Sequence, residues 1–283
     1  MKLEGRRTSS NVDDRRRIGG GKAGLGIGGI IVAALIAWAM GGDPMSVITS
    51  QLGDAIQGGT EYAPSAQEDA MATFASTILA GTEDVWTKEF EKMGRKYIPP
   101  KMVLYRRATT SGCGNASSQT GPFYCSADQT VYLDISFFDQ MKNQLGAGGD
   151  FAYAYVIAHE VGHHVQYLLG TLNEVHQKQS RMSKKESNQL NVRLELQADF
   201  YAGIWAYYDN KMYHSLEPDD IEKGLNAASA IGDDRLQMQS QGYTVPDAFN
   251  HGTSAQRVRW LKKGATTGRV ADGDTFSPAY SDL

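Results

Sequence analysis

The sequence predicts an α+β chain, mainly helical with a small antiparallel sheet, preceded by one transmembrane helix. Three observations carry that expectation. Residues 23–42 form an apolar run without a charge between Lys22 and Asp43. Helical periodicity dominates from Ala66 onward, and two β-rich segments, 101–107 and 130–135, interrupt it.

With 283 residues, 41% of them hydrophobic and 21% charged, the chain can bury one enzyme-sized core, which excludes collagenous and wholly disordered classes. A net charge of −4 gives no basic footprint, so no nucleic-acid partner is expected. A mean hydropathy of −0.40 excludes a polytopic membrane protein but leaves room for one local span.

The apolar run supplies that span. As a helix its twenty residues would cover roughly 30 Å, the thickness of a bilayer core. Seven bases precede it (Lys2, Arg6, Arg7, Arg15, Arg16, Arg17 and Lys22), and none follows until Lys88. The positive-inside rule therefore predicts a cytoplasmic N-terminus and an exported remainder. A cleaved signal peptide competes, because Ala37 and Ala39 form an A-x-A site. The long polar leader and the length of the apolar run favour an uncleaved anchor.

The predicted organisation is a basic cytoplasmic tail (1–22), a transmembrane helix (23–42), a Gly/Pro/Ser-rich linker (43–65), one folded domain (66–265) and a polar C-terminal tail (266–283). Phe74, Ile78, Val85 and Phe90 recur at helical spacing over 66–94. Cys113 and Cys125 bracket a turn-rich segment, and a disulfide closing that loop would contribute about 3 kcal/mol. Asp150 is placed to cap an apolar helix over 151–169, which Gly170 closes. A polar stretch, 177–191, leads into a helix through Trp205. Further helices are predicted over 219–231 and from the Thr253/Ser254 cap to Gly264.

Inside the 151–169 helix stands His159-Glu160-Val161-Gly162-His163. Residues at i and i+4 differ by about 40° around a helix, so both imidazoles leave one face and can share one metal ion. Glu160 lies beside the first ligand, where a carboxylate can act on a metal-bound water as general base. A catalytic zinc takes three protein ligands and keeps one position open. The candidates for the third ligand are His164, Glu174, His176, Glu195, Asp199 and His214. Glu195 and Asp199 are favoured, because they share a face of a largely apolar helix in which two carboxylates need partners. Glu195 would ligate the metal, and Asp199 would accept the outer ring N–H of a ligand histidine.

HEVGHHVQ followed by RLELQADFYAG resembles the bacterial putative neutral zinc metallopeptidase family, membrane-anchored proteins of the gluzincin class with the pattern H-E-x-x-H then E-x-x-x-D. The resemblance implies a zincin-like (gluzincin) metallopeptidase domain over 66–265, one catalytic zinc ion per chain and a protein or peptide substrate. By it His159, His163 and Glu195 bind zinc, Glu160 is the base and Asp199 lies just outside the ligands. It also implies the bacterial inner (cytoplasmic) membrane as the location, with a periplasmic catalytic domain. His251, in the segment Phe249 to Arg257, is similar to the histidine that stabilises the oxyanion in membrane-associated gluzincins, although Gly252 stands where their pattern has proline. Arg257 is the alternative donor. The resemblance implies an exposed strand beside the metal, and the strand around Val131 to Asp134 either takes that place, where an extended substrate could pair with it, or runs in the interior of the sheet. The alternative function is a catalytically silent, zinc-containing envelope protein acting as a binding or scaffold module.

Overall fold

The computed structural model describes residues 1–17 and 62–283. Helix α1 (Ala66–Lys92) starts at a capping box in which Ser65 Oγ accepts from Glu68 N and the Glu68 carboxylate accepts from Ser65 N. Its Ile78, Leu79, Trp86 and Phe90 are buried in the main core.

Four strands form the main sheet in the order β1 (Val12–Asp14), β2 (Lys101–Tyr105), β6 (Thr130–Asp134), β5 (Phe123–Cys125). A separate hairpin joins β3 (Ala108–Ser111) and β4 (Gly114–Ser117). β1 and β2 are parallel, β2 and β6 are parallel, and only β5 runs antiparallel to its neighbour. The sheet is therefore mixed, which corrects the expected antiparallel sheet. The connection from β2 to β6 accommodates the hairpin and β5, and that excursion returns the chain in its original direction. All five residues of β6 are buried. Of the two readings of that strand the interior one holds, and β5 forms that edge of the sheet. The Cys113–Cys125 disulfide is formed and ties the β3–β4 turn to β5.

The expectation of a membrane anchor, and with it an inner-membrane location and a periplasmic domain, is overturned. Among the described residues no helix is long and apolar enough to cross a membrane. The run 23–42 itself lies outside the described residues. Residues 1–17, expected on the far side of a bilayer from the domain, belong to the same body. β1 extends the sheet, Arg6 pairs with Asp209, Arg7 with Glu83 and Asp84, and Arg16 with Asp69. Bases that read as a topology signal neutralise carboxylates of the domain instead.

Among the described residues seven further helices complete the fold: α2 (Phe137–Gln144), α3 (Asp150–Leu169), α4 (Thr171–Gln179), α5 (Lys184–Tyr213), α6 (Asp220–Ala230), α7 (Asp233–Gln241) and α8 (Ser254–Thr267). α3 is the central helix, buried along most of its length and stopped by Gly170 at φ 92°. The capping residue ahead of it is Gly149 rather than Asp150, which occupies the first turn. α5 starts at a Ser183–Glu186 capping box, already inside the polar stretch 177–191 that leads into it. The final residues dock rather than trail: Gly273 O accepts from Gln197, Thr275 O accepts from Arg193, and Leu283 is buried.

Candidate active site

The site is built where α3 crosses α5. The two helices approach so closely at Gly162 that a Cβ there would sit 2.9 Å from Ala198 O, a contact only glycine avoids. That approach sets His159 and His163 of α3 against Glu195 of α5. His159 Nε2 lies 3.2 Å from Glu195 Oε2, and His163 Nε2 lies 3.5 Å from Glu195 Oε1. One ligand atom from each of the three residues falls within 4.8 Å of the others, a cluster that could hold a metal ion.

Both imidazoles are oriented from behind. His159 Nδ1–H donates to Asp199 Oδ1 at 2.8 Å, and His163 Nδ1–H donates to Gln166 Oε1 at 2.9 Å. Each contact leaves Nε2 as the outward nitrogen, so two nitrogens and a carboxylate face one point and could hold a metal ion. That donor set suits zinc. Gln166 is itself fixed, donating to Leu194 O and Gln197 Oε1.

Asp199 is fully buried and accepts four hydrogen bonds. Besides His159 they come from Tyr155 OH at 2.6 Å, Arg257 Nε at 2.8 Å and Arg257 Nη2 at 2.9 Å. Burial alone would raise the pKa of Asp199, but Arg257 and His159 outweigh it and hold it at about 2. Burial would likewise lower the pKa of His159, but Asp199 and Glu195 raise it to about 10. The Glu195 carboxylate, favoured by His163 and His159 against its burial, stays ionised far below the usual range.

Glu160 opens onto a cleft of about 750 Å³ shared with His159, His163, Glu195 and His251. Among the described residues its carboxylate has no hydrogen-bond or ion-pair partner. His251 stands on the loop between α7 and α8. Asp233 Oδ2 accepts from the backbone N–H groups of Asn250, His251 and Gly252, and Asp233 Oδ1 lies 3.2 Å from His251 Nδ1. α5 holds the same loop from below, where Asn191 Nδ2 donates to Asn250 O and Asn188 Nδ2 to Asp247 O.

The remaining candidates are placed elsewhere. Arg257 reaches the edge of the cleft, but its guanidinium is bound to Asp199, Tyr155 OH and Ile231 O. It supports Asp199 instead of offering a free donor. His164 is fully buried on the opposite face of α3, where Nε2–H donates to Ile98 O and Nδ1 accepts from Tyr124 OH. Burial pushes its pKa down to about 4, so it is neutral. Glu174 is exposed and paired with Lys178, His176 lines the outer cleft, and His214 is the left-handed C-cap of α5.

A sequence profile of the family described as putative neutral zinc metallopeptidase matches residues 1–276. The chain belongs to that family. The chain is 50% identical to the uncharacterized protein YpfJ of Escherichia coli K12, over 98% of this chain and 99% of that one. It is 46% identical to the uncharacterized protein Rv2575 of Mycobacterium tuberculosis, over 65% of this chain and 64% of that one, and equally to Mb2605 of Mycobacterium bovis. No solved structure matches it.

Three residues of the site escaped the sequence reading. Gln166 carried a usable signal, since it stands at i+3 from His163 on the same helical face. Tyr155, at i−4 from His159, carried the same one. Asp233 carried none, because its partners lie 17 to 19 residues away across a loop.

Proposed function

We propose that the protein is a zinc-dependent peptidase that hydrolyses peptide bonds of proteins or peptides, with Glu160 as general base. The observation that carries this reading is the convergence of His159, His163 and Glu195 on one point beside an unpartnered Glu160, in a cleft large enough for a peptide segment. A purely structural zinc site would have no use for that carboxylate and would close its fourth position. His159, His163 and Glu195 would hold the zinc, which would supply Lewis acidity toward a water and toward the scissile carbonyl.

The chain's own groups do the rest. Glu160 takes a proton from the attacking water and returns it to the nitrogen of the leaving amine. His251, turned by the contact of its Nδ1 with Asp233, presents Nε2 toward the oxygen that becomes negative. Asp199 and Gln166 keep the two ligand imidazoles in one tautomer throughout. β5 borders the cleft through Phe123 and Tyr124 and is paired with β6 on one side only. An extended substrate chain can pair with its other side through main-chain hydrogen bonds, which suits a peptide of loose sequence.

The test is zinc content per chain together with chelator-sensitive cleavage of an unfolded protein. The wild type should carry one zinc and cleave, and Glu160→Gln should keep the zinc while losing about 10²- to 10⁴-fold in rate. Equal cleavage by Glu160→Gln, or a zinc-loaded wild type that cleaves no unfolded protein, overturns the proposal.

A further inference from the structure

The cleft has two unlike ends. Beyond His163 its wall is mixed, with Tyr124 and Leu172 alongside His176 and Asn191. On the Glu160 side of the His159–His163–Glu195 cluster the wall is mainly apolar, with the neutral Gln140 of α2 as its polar member. Val156 stands one turn before Glu160 on the same face of α3, and Phe137 of α2, Leu145 at the α2 C-cap, Ile231 at the α6 C-cap and Leu236 of α7 close around it. Phe137, Leu145, Ile231 and Leu236 are only partly buried, so each leaves apolar surface open in the concavity that holds Glu160. Three chain segments leaving such surface in one place, beside Val156 and the base, is the form of a side-chain pocket.

α7 links this pocket to the rest of the site. Its Asp233 holds the His251 loop, its Asp234 accepts from Ser254 N and Oγ at the start of α8, and the next turn supplies Leu236. Leu145 also lines a second trough with Gln144, Asp234, Arg235 and Met238, so the apolar end opens between α2 and α7.

We infer that the pocket formed by Phe137, Leu145, Val156, Ile231 and Leu236 selects a large aliphatic or aromatic side chain on the substrate residue next to the cleaved bond. This rests on the peptidase reading and names its substrate class. The five side chains of the pocket are uncharged and the nearby Arg257 is already paired with Asp199, so a Lys, Arg, Asp or Glu side chain entering it would lose hydration against apolar walls. Ala would leave it partly empty. Discrimination of Leu, Ile, Met or Phe over Ala should amount to about 10- to 200-fold in kcat/KM.

The test has two arms on the zinc-loaded full chain. In the first, cleavage sites are mapped in a mixture of proteome-derived peptides for the wild type, Leu236→Ala and Leu236→Glu, with thermal melting as a check on folding. Wild type should show large apolar residues at one position adjoining the cut. Leu236→Glu should lose that preference and gain cleavage at Lys or Arg in the same position. An unbiased wild-type profile, or one that both variants leave unchanged, overturns the inference.

In the second arm, Glu160→Gln is titrated with short peptides that carry Leu, Ala or Lys at the central position. Tighter binding of the Leu peptide, weakened in Glu160→Gln/Leu236→Glu, supports the pocket even if the wild type cleaves nothing. In that case the peptidase reading falls and the pocket stands. Equal binding of all three peptides overturns the pocket by itself.

Discussion

Arg257 and Asp199 form a buried two-pronged ion pair, and the Asp199 oxygen that accepts from Arg257 Nη2 also accepts from His159 Nδ1. The guanidinium of α8 is therefore connected to the imidazole of α3 through one carboxylate of α5. The pair offsets the burial of each member, and it fixes the direction in which His159 Nε2 points. Asp199→Asn should retain the fold and lower zinc affinity about 10- to 100-fold. Arg257→Met should leave the carboxylate buried and uncompensated, at about 3–5 kcal/mol of stability. Competition with a chromophoric chelator measures the first effect and urea denaturation the second. Unchanged zinc affinity in Asp199→Asn would refute the coupling.

The contact of Gly162 with Ala198 makes a separate prediction. In Gly162→Ala the new methyl meets the Ala198 carbonyl, so α3 and α5 must move apart along the line that joins His159 and His163 to Glu195. Overpacking there should cost about 1–3 kcal/mol, and zinc affinity should fall with it. Gly170→Ala is the control. Its φ of 92° disfavours a side chain by about 1–2 kcal/mol, but a Cβ at that position meets nothing within 4 Å. It should lower the denaturation midpoint and leave zinc affinity unchanged.

What the sequence could express was set by how local each relationship is. The shared face of His159 and His163, and that of Glu195 and Asp199, follow from spacing on one helix. The stop at Gly170 and the start at Thr253 follow from single residues with special backbone or side-chain chemistry. The direction of β6 relative to β2 did not follow, because it depends on the path of the residues between them. The meaning of the N-terminal bases did not follow either. Arginines that pair with Asp209 or Glu83 look, in one dimension, the same as arginines that orient a membrane segment. α7 was hidden for a related reason. DDRLQMQSQ is polar with one buried residue, Asp233, so its periodicity is faint and its importance lies in contacts with a distant loop.

That loop predicts a pH effect. Burial of His251 lowers its pKa, but its hydrogen bond to Asp233 of α7 and the charge of Glu195 on α5 raise it more than Arg257 of α8 lowers it, so the net shift is upward. A raised pKa keeps the ring protonated to higher pH. The contribution of the charged donor is then present below that pKa and lost as pH rises through it. Asp233→Asn removes the charge and keeps an acceptor for the backbone N–H groups. The alkaline limb of the kcat/KM profile should therefore move to lower pH. His251→Phe should abolish that limb and lower the rate about 10²- to 10³-fold. Coincident alkaline limbs for wild type and Asp233→Asn would show that Asp233 acts on the loop alone.

The N-terminal arm supplies the last prediction. Arg6 places its two terminal nitrogens against the two oxygens of Asp209, at 3.0 and 2.6 Å, and both side chains are nearly removed from solvent. Asp209 lies on α5, the helix that carries Glu195, and Gly81 of α1 leaves the room the guanidinium needs. The arm is thus bound to the helix that builds the site, fourteen residues beyond Glu195. Arg6→Ala should leave Asp209 buried and unpaired and destabilise the chain by about 3–5 kcal/mol. Asp209→Ala alone should leave Arg6 freer to reach water through its long stem, and should cost less. If the two groups act as a pair, Arg6→Ala/Asp209→Ala should be more stable than Arg6→Ala, because the second change removes the stranded charge. Denaturation midpoints of the four proteins decide the matter. Strict additivity would mean that the arm rests on the domain without being coupled to it.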